Sequence, residues 1–143
     1  MNNVPQQLAI KLASFRVVKC NTVIVPDLTE DEYRGANASL DTKVLFYNQL
    51  ENQFVVAFTL TIASDNPERM SIEILSHALF ETNDIITEEF KSSYFANVNA
   101  PAIAFPFVRS FVQTLSVNMG IAPIILPSYN FAQAFEEAKN SAK

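Results

Sequence analysis

The chain has 143 residues and a formal net charge of −5, and 49% of its residues are hydrophobic while 17% are charged. This length predicts one domain, residues 1–143, and the acidic balance argues against nucleic acid and anionic membranes as partners, because both require clustered Lys and Arg. The single Cys excludes an internal disulfide, and no signal peptide or membrane-spanning apolar stretch is evident, so a cytoplasmic location is expected.

Four β-strands are predicted in the first two-thirds of the chain. Residues 8–25 are rich in β-branched and aliphatic side chains and end at Pro26, which indicates a first strand with room for a bulge. A loop rich in Pro, Gly and acidic residues follows to residue 38. Three further apolar segments, 40–47, 53–65 and 69–81, are joined by short turns, and apolar side chains alternate most clearly in the second of them. This pattern predicts an antiparallel meander with a long first loop.

The last third of the chain changes to helical periodicity. Thr87 precedes two Glu residues, as at the start of a short helix. A longer helix is predicted to begin near Pro106, which is tolerated only in a first turn, and to end at Gly120 in a left-handed conformation. Asn130 is a suitable N-cap for a final helix. The predicted fold class is therefore α+β, a four-stranded antiparallel sheet packed on two C-terminal helices.

The longer helix is apolar on two sides. One row contains residues at spacings of three and four from Phe105 to Met119, and Phe107 and Phe111 form a second row. In a chain of this length, such a helix is expected to pack between its own sheet and another subunit of a homo-oligomer. The predicted subunit-interface residues are Val108, Phe111, Val112, Leu115 and Met119.

The residues that could support catalysis are few. His77 is the only histidine, so a His-based zinc site or a facial triad cannot be assembled from one chain. A dyad of Cys20 and His77 is formally possible, but both lie in apolar strand contexts, where a buried and inert thiol is the more common finding. We therefore predict no catalytic residue, no metal and no cofactor, and a protein that is not an enzyme.

Aromatic content is the informative feature of the composition. The chain has 12 Phe, 4 Tyr and no Trp. Core packing accounts for the strand phenylalanines. For Tyr33 in the acidic loop and for the apolar segment Ile124–Leu126, a partner-binding surface remains an equal alternative to burial.

The last third of the chain resembles the C-terminal half of the SecB family of protein-export chaperones. The family's entry into its long helix, an Asn or Pro followed by Phe-Pro-Tyr-Ala-Arg, is similar to Pro101 and the sequence Phe105-Pro106-Phe107-Val108-Arg109. Its linker and final helix resemble the residues Leu126, Pro127, Asn130, Phe131 and Phe135. Before this region the resemblance lies only in the pattern of four strands.

The resemblance implies an ATP-independent holdase that binds unfolded or non-native client polypeptides in an apolar groove and assembles as a dimer of dimers. Protein export is one role that the resemblance allows. The groove residues that it implies are Tyr33, Met70, Phe107, Leu126, Phe131 and Phe135. Met and aromatic side chains suit this role because they adapt to many client sequences.

Two departures from the family bear on its partners. Export members carry acids on the exposed sheet face, which bind the Sec motor ATPase, whereas Cys20 and Ile24 stand where acids of the first strand are expected. Glu73 keeps its acid, and little of the family's polar C-terminal tail follows the final helix. Binding to the Sec motor ATPase is therefore doubtful. An interaction module dedicated to one partner, such as an antitoxin-stabilising chaperone, is the alternative.

Overall fold

Four β-strands form one antiparallel sheet in a computed structural model of the chain, which describes residues 8–141. The strands are β1 (Ile10–Ile24), β2 (Asn37–Phe46), β3 (Gln53–Ala63) and β4 (Met70–Thr82). All four predicted strands are therefore confirmed. The expectation of no signal peptide depends partly on residues 1–7, which lie outside the described residues.

The strand order in the sheet is β1-β4-β3-β2. Strands β2, β3 and β4 form the predicted meander, whereas β1 pairs with β4 and lies at the opposite edge from β2. The connection from β1 to β2 must therefore cross the end of the sheet, which accounts for its length. The expected bulge in β1 is also present, since its register shifts between Leu12 and Ser14 and again between Val17 and Lys19.

In the described part of the chain four α-helices accompany the sheet: α1 (Glu30–Arg34), α2 (Glu88–Lys91), α3 (Ala100–Asn118) and α4 (Phe131–Ser141). The predicted caps are confirmed. Thr87 accepts a hydrogen bond from the Phe90 N–H at 3.1 Å, and Asn130 accepts one from the Gln133 N–H at 2.9 Å. Gly120 ends the α3 region with a φ of 88°, a left-handed conformation that Gly adopts without strain.

Two helical details differ from the prediction. The first loop contains α1, which was expected to be irregular. Helix α3 begins at Ala100, after a π-helical turn at Phe95–Asn99, so Pro106 lies inside the helix and not at its start. Because Ala102 and Pro106 are both exposed, the Ala102 carbonyl that loses its N–H partner lies on the solvent side of the helix.

The core lies between the sheet and α3. Alternate side chains of β3 and β4 are buried on one face of the sheet, and α3 covers them with Ala104, Phe105, Val108 and Val112. We call this side of the sheet the inner face. At one end of it Phe54 stacks on Phe80, with 5.3 Å between ring centroids. The opposite side of the sheet, which no described helix covers, is called the outer face.

The register corrects the placement of two residues that the sequence had assigned to the exposed face. Cys20 pairs with Ile74, and Ile24 pairs with Met70, and paired residues of adjacent strands share a face. Cys20 and Ile24 therefore lie on the inner face, not on the outer face where the sequence comparison placed them. The inner-facing side chains of edge strand β1 are half-buried as far as Val17, but Cys20 beyond them is exposed and not buried as predicted.

Candidate functional site

An apolar cavity of about 550 Å³ lies at the beginning of β2. One wall is the end of α1 and the start of β2, and the other is the linker between α3 and α4. Its apolar lining includes Tyr33, Ala38, Ile62, Ile124 and Leu126. This cavity is open to solvent on one side of edge strand β2.

A second cavity, of about 280 Å³, continues along the same strand. It lies between β2 and α4, and its apolar lining includes Leu40, Val44, Tyr129, Phe131 and Phe135. Both cavities therefore lie on the inner side of β2 and are roofed by consecutive segments of the chain. We call the two cavities together the β2 groove.

The linker that roofs the β2 groove is held by a buried hydroxyl of α3. The Ser116 hydroxyl donates to the Gln113 carbonyl at 2.9 Å and accepts from the Ile124 N–H, also at 2.9 Å. Two residues later Leu126 inserts into the core. In contrast Ile125, between them, is 72% exposed. The linker thus presents an apolar side chain to solvent while its backbone is fixed.

Helix α1 is held in place by an ion pair with the turn between β3 and β4. The Arg69 guanidinium donates two hydrogen bonds to the Glu32 carboxylate, at 2.7 and 3.1 Å. Glu32 also completes a capping box with Thr29. The hydrogen bond from Arg69, with further bonds from Thr29, lowers the pKa of Glu32 to about 2. This arrangement positions the neighbouring Tyr33 on the wall of the β2 groove.

Four of the six predicted groove residues lie in the β2 groove. Tyr33 and Leu126 share the first cavity, and Phe131 and Phe135 share the second. Tyr33 and Phe135 are half-buried, whereas Leu126 and Phe131 are buried at the groove floor.

The other two predicted groove residues lie elsewhere. Met70 has no exposed surface and belongs to the core, so it does not line a groove in this conformation. Phe107 is 48% exposed but packs against Phe15 of β1, with 5.6 Å between ring centroids. Because β1 and β2 are opposite edges of the sheet, Phe107 is separate from the β2 groove.

The predicted subunit-interface residues also divide into two groups. Val108 and Val112 are fully buried against the chain's own sheet, so they are not available to a second subunit and their assignment is corrected. Phe111, Leu115 and Met119 are half-buried at the margin of that contact.

The solvent side of α3 is uncharged over its whole length. Its exposed side chains include Ile103, Phe107 and Val117, and the last of these is 52% exposed. Arg109 is the only charged residue in α3, and it is half-buried. A helix face of this kind is typical of a surface that contacts another protein chain.

The candidate catalytic dyad is not assembled. His77 pairs with Arg16 and Ala57 on the outer face, whereas Cys20 lies on the inner face. Among the described residues, no three His, Cys, Asp or Glu side chains lie close enough together to hold a metal ion. Within residues 8–141, no helix is long and apolar enough to cross a membrane.

Three residues of the site were missed by the sequence reasoning. Arg69 and Glu32 are 37 positions apart, so no local pattern connects them. The Thr29–Glu32 spacing is nevertheless a capping-box signature and indicates that α1 is ordered. The role of Ser116 depends on a backbone N–H eight residues later and has no sequence signature.

Comparison with known proteins identifies relatives over nearly the whole chain. The family described as preprotein translocase subunit SecB matches residues 6–142. An uncharacterized protein of Methanocaldococcus jannaschii is 30% identical over 130 residues, which cover 90% of this chain and 83% of that protein. The protein-export protein SecB of Desulfotalea psychrophila is 34% identical over 77 residues, covering 54% of this chain and 49% of that protein.

A solved structure has the same fold. The SecB-like chaperone Rv1957 of Mycobacterium tuberculosis, in complex with a ChAD peptide from the Rv1956 HigA1 antitoxin, superimposes with a TM-score of 0.63 and 19% identity. The match covers 85% of this chain and 88% of that chain.

Proposed function

The chain belongs to the SecB family, and from this premise we propose that it is an ATP-independent cytoplasmic holdase for non-native client polypeptides. The observation that carries the proposal is the β2 groove, in which aliphatic and aromatic side chains line both cavities and Tyr33 and Phe135 are accessible at the walls. A client segment would enter the groove in an extended form and bury its apolar side chains there.

The chemistry of the groove suits clients of varied sequence. Burial of apolar surface contributes about 25 cal/mol per Å² and does not require a fixed pattern of hydrogen bonds. The aromatic walls at Tyr33, Tyr129 and Phe135 offer large apolar area with few rotatable bonds. The groove would therefore select clients by exposed apolar residues and not by a specific sequence.

A homo-oligomer is part of the same proposal, with a dimer of dimers as the expected form. The uncharged solvent face of α3 supports it, because Ile103, Phe107 and Val117 would be removed from water at a helix-to-helix contact. Phe111, Leu115 and Met119 would lie at the edge of that contact. Val108 and Val112 would support it from inside the subunit.

A chaperone dedicated to one partner is the second candidate. The neighbour of known structure binds an antitoxin peptide, and a groove of the present size could serve a single such segment. Export through the Sec motor ATPase has less support. The outer face carries Lys11, Arg16, Lys19 and Lys43 against Asp41, Glu73 and Glu81, so it is not the acidic surface of the export members.

A pair of variants tests the holdase proposal. Tyr33→Asp places a charge on the groove wall and should weaken binding of unfolded clients about tenfold, which corresponds to about 1.4 kcal/mol, without changing the fold. Phe58→Ala removes a fully buried ring and should instead lower stability by about 3–5 kcal/mol. Suppression of aggregation for several unrelated clients, together with thermal unfolding, separates the two effects.

The outcomes distinguish the candidates. Suppression of aggregation for all clients by the wild type, and its loss in Tyr33→Asp, would support a general holdase. Suppression for one client only would favour the dedicated chaperone. Unchanged client binding by Tyr33→Asp would contradict a role for the β2 groove.

A further inference from the structure

The outer face of the sheet carries side chains in transverse rows that the strand register defines. In one row Arg16, His77, Ala57 and Lys43 are neighbours across all four strands. In the adjacent row Leu79, Val55 and Leu45 are neighbours across three strands. We call these the cationic row and the apolar row. They run side by side across the middle of a face that no described helix covers.

The cations of the cationic row lack partners within residues 8–141. Lys19, further along the same face, forms an ion pair with Glu73 at 3.4 Å, and Glu81 accepts a hydrogen bond from Gln53. Arg16 and Lys43, by contrast, are exposed and form no ion pair with any described residue. They stand three strand spacings apart, about 14 Å. The chain as a whole is acidic, so this pair of unpaired cations is a local exception.

We propose that the outer face binds an acidic amphipathic polypeptide segment of a partner protein. Its carboxylates would pair with Arg16 and Lys43, and its apolar side chains would cover the half-exposed Leu79, Val55 and Leu45. Charge complementarity along one row, with an apolar row beside it, matches a segment that has acids on one flank and apolar residues on the adjacent flank.

Other occupants fit this surface less well. A second copy of the chain docked by the same face would bring the cationic rows together, and like charges there are unfavourable. Nucleic acid and anionic membranes need many cations in a cluster, whereas the described part of this face has three unpaired and separated ones, Lys11, Arg16 and Lys43, on a chain with a net charge of −5. A short polypeptide needs only one or two carboxylates in the correct place.

The test uses a short fluorescent peptide rich in Leu and Glu, and a matched peptide with Gln in place of Glu. Anisotropy at physiological salt should show binding of the Glu peptide that is at least fivefold tighter than that of the Gln peptide. The double variant Arg16→Glu/Lys43→Glu should lose this preference. Lys139→Glu, an exposed charge reversal in α4 on the opposite side of the sheet, should change the affinity less than twofold.

Several results would overturn the proposal. These are equal binding of the two peptides by the wild type, an unchanged preference in the double variant, and an equal loss in Lys139→Glu. Binding of RNA or of anionic vesicles that depends on Arg16 and Lys43 and displaces the Glu peptide would also overturn it, in favour of a polyanion. The outer face lies on the opposite side of the sheet from the β2 groove. Tyr33→Asp should therefore leave peptide binding unchanged, and the double variant should retain client holding, so that the two proposals can fail separately.

Discussion

Substitution of Phe131 by Ala should release α4 from the rest of the molecule. Phe131 is the only buried residue of this helix, and its ring lies 5.6 Å from Phe105, 6.2 Å from Phe58 and 4.7 Å from Tyr129 between centroids. Loss of a buried Phe ring typically costs about 3–5 kcal/mol. Because α4 has only 11 residues and an isolated helix shorter than about 12–15 residues is marginal in water, an undocked α4 should also unfold.

Hydrogen exchange monitored by mass spectrometry measures this effect. A cost of about 3 kcal/mol corresponds to at least a hundredfold faster exchange of amides in residues 131–141. Amides of β3 and β4 should keep their wild-type protection, and client binding should weaken because Phe131 and Phe135 line the second cavity of the β2 groove. Removal of this wall should therefore appear in both measurements.

Two controls define the result. Glu137→Ala removes an exposed hydrogen bond from Gln133 in the same helix and should change exchange less than threefold. Phe58→Ala should accelerate exchange throughout the sheet. The reasoning is refuted if Phe131→Ala leaves exchange in α4 unchanged, or if it accelerates the sheet amides as much as those of α4.

Three further predictions concern the loop, the assembly and the motor. The pKa of Glu32 is about 2, lowered from an ordinary value of 4.5, so the stability that the Arg69 pair provides is present above pH 4.5 and is lost as the pH falls towards 2. Melting temperatures of wild type and Glu32→Gln should therefore differ at pH 6 and converge near pH 2, and a constant difference would contradict this. Phe107→Glu or Val117→Glu should split the oligomer without unfolding the chain, whereas Val108→Glu should unfold it, because an unpaired buried carboxylate costs several kcal/mol. Light scattering measures the assembly and circular dichroism the folding, and a monomeric wild type would refute the proposed oligomer. Calorimetric titration with a Sec motor ATPase should show weak or no binding, and tight, salt-sensitive binding would restore export as the function.

Local signals in the sequence were sufficient for the elements of the fold. Alternation over residues 53–65 predicted β3, and the caps at Thr87 and Asn130 and the stop at Gly120 depend on residues within one helical turn. The start of α3 was the exception. Proline is tolerated in the first turn of a helix because the N–H that it lacks would have no helical partner there. Here the helix already begins at Ala100, so Pro106 falls in a later turn.

The sequence could also identify which residue types line the candidate site. The resemblance to the SecB family implied Leu126, Phe131 and Phe135 as groove residues, and they lie together with Tyr33 along β2. Their position beside one strand could not be predicted without the strand order. The linker and α4 lie along β2 because β2 is an edge strand and β1 occupies the opposite edge of the sheet.

Only the tertiary structure decided which side of the sheet each strand residue faces. The first bulge in β1, between Leu12 and Ser14, exchanges the two faces and places Arg16 outside. The second, between Val17 and Lys19, exchanges them back, so Cys20 and Ile24 lie on the inner face like Leu12. Met70 is buried because it lies on the inner face of β4. Arg69, which precedes it, pairs with Glu32 because the fold brings the β3–β4 turn next to α1. These contacts join residues far apart in the chain. Their geometry depends on how the whole sheet is twisted and covered, and a local pattern of side chains cannot predict that.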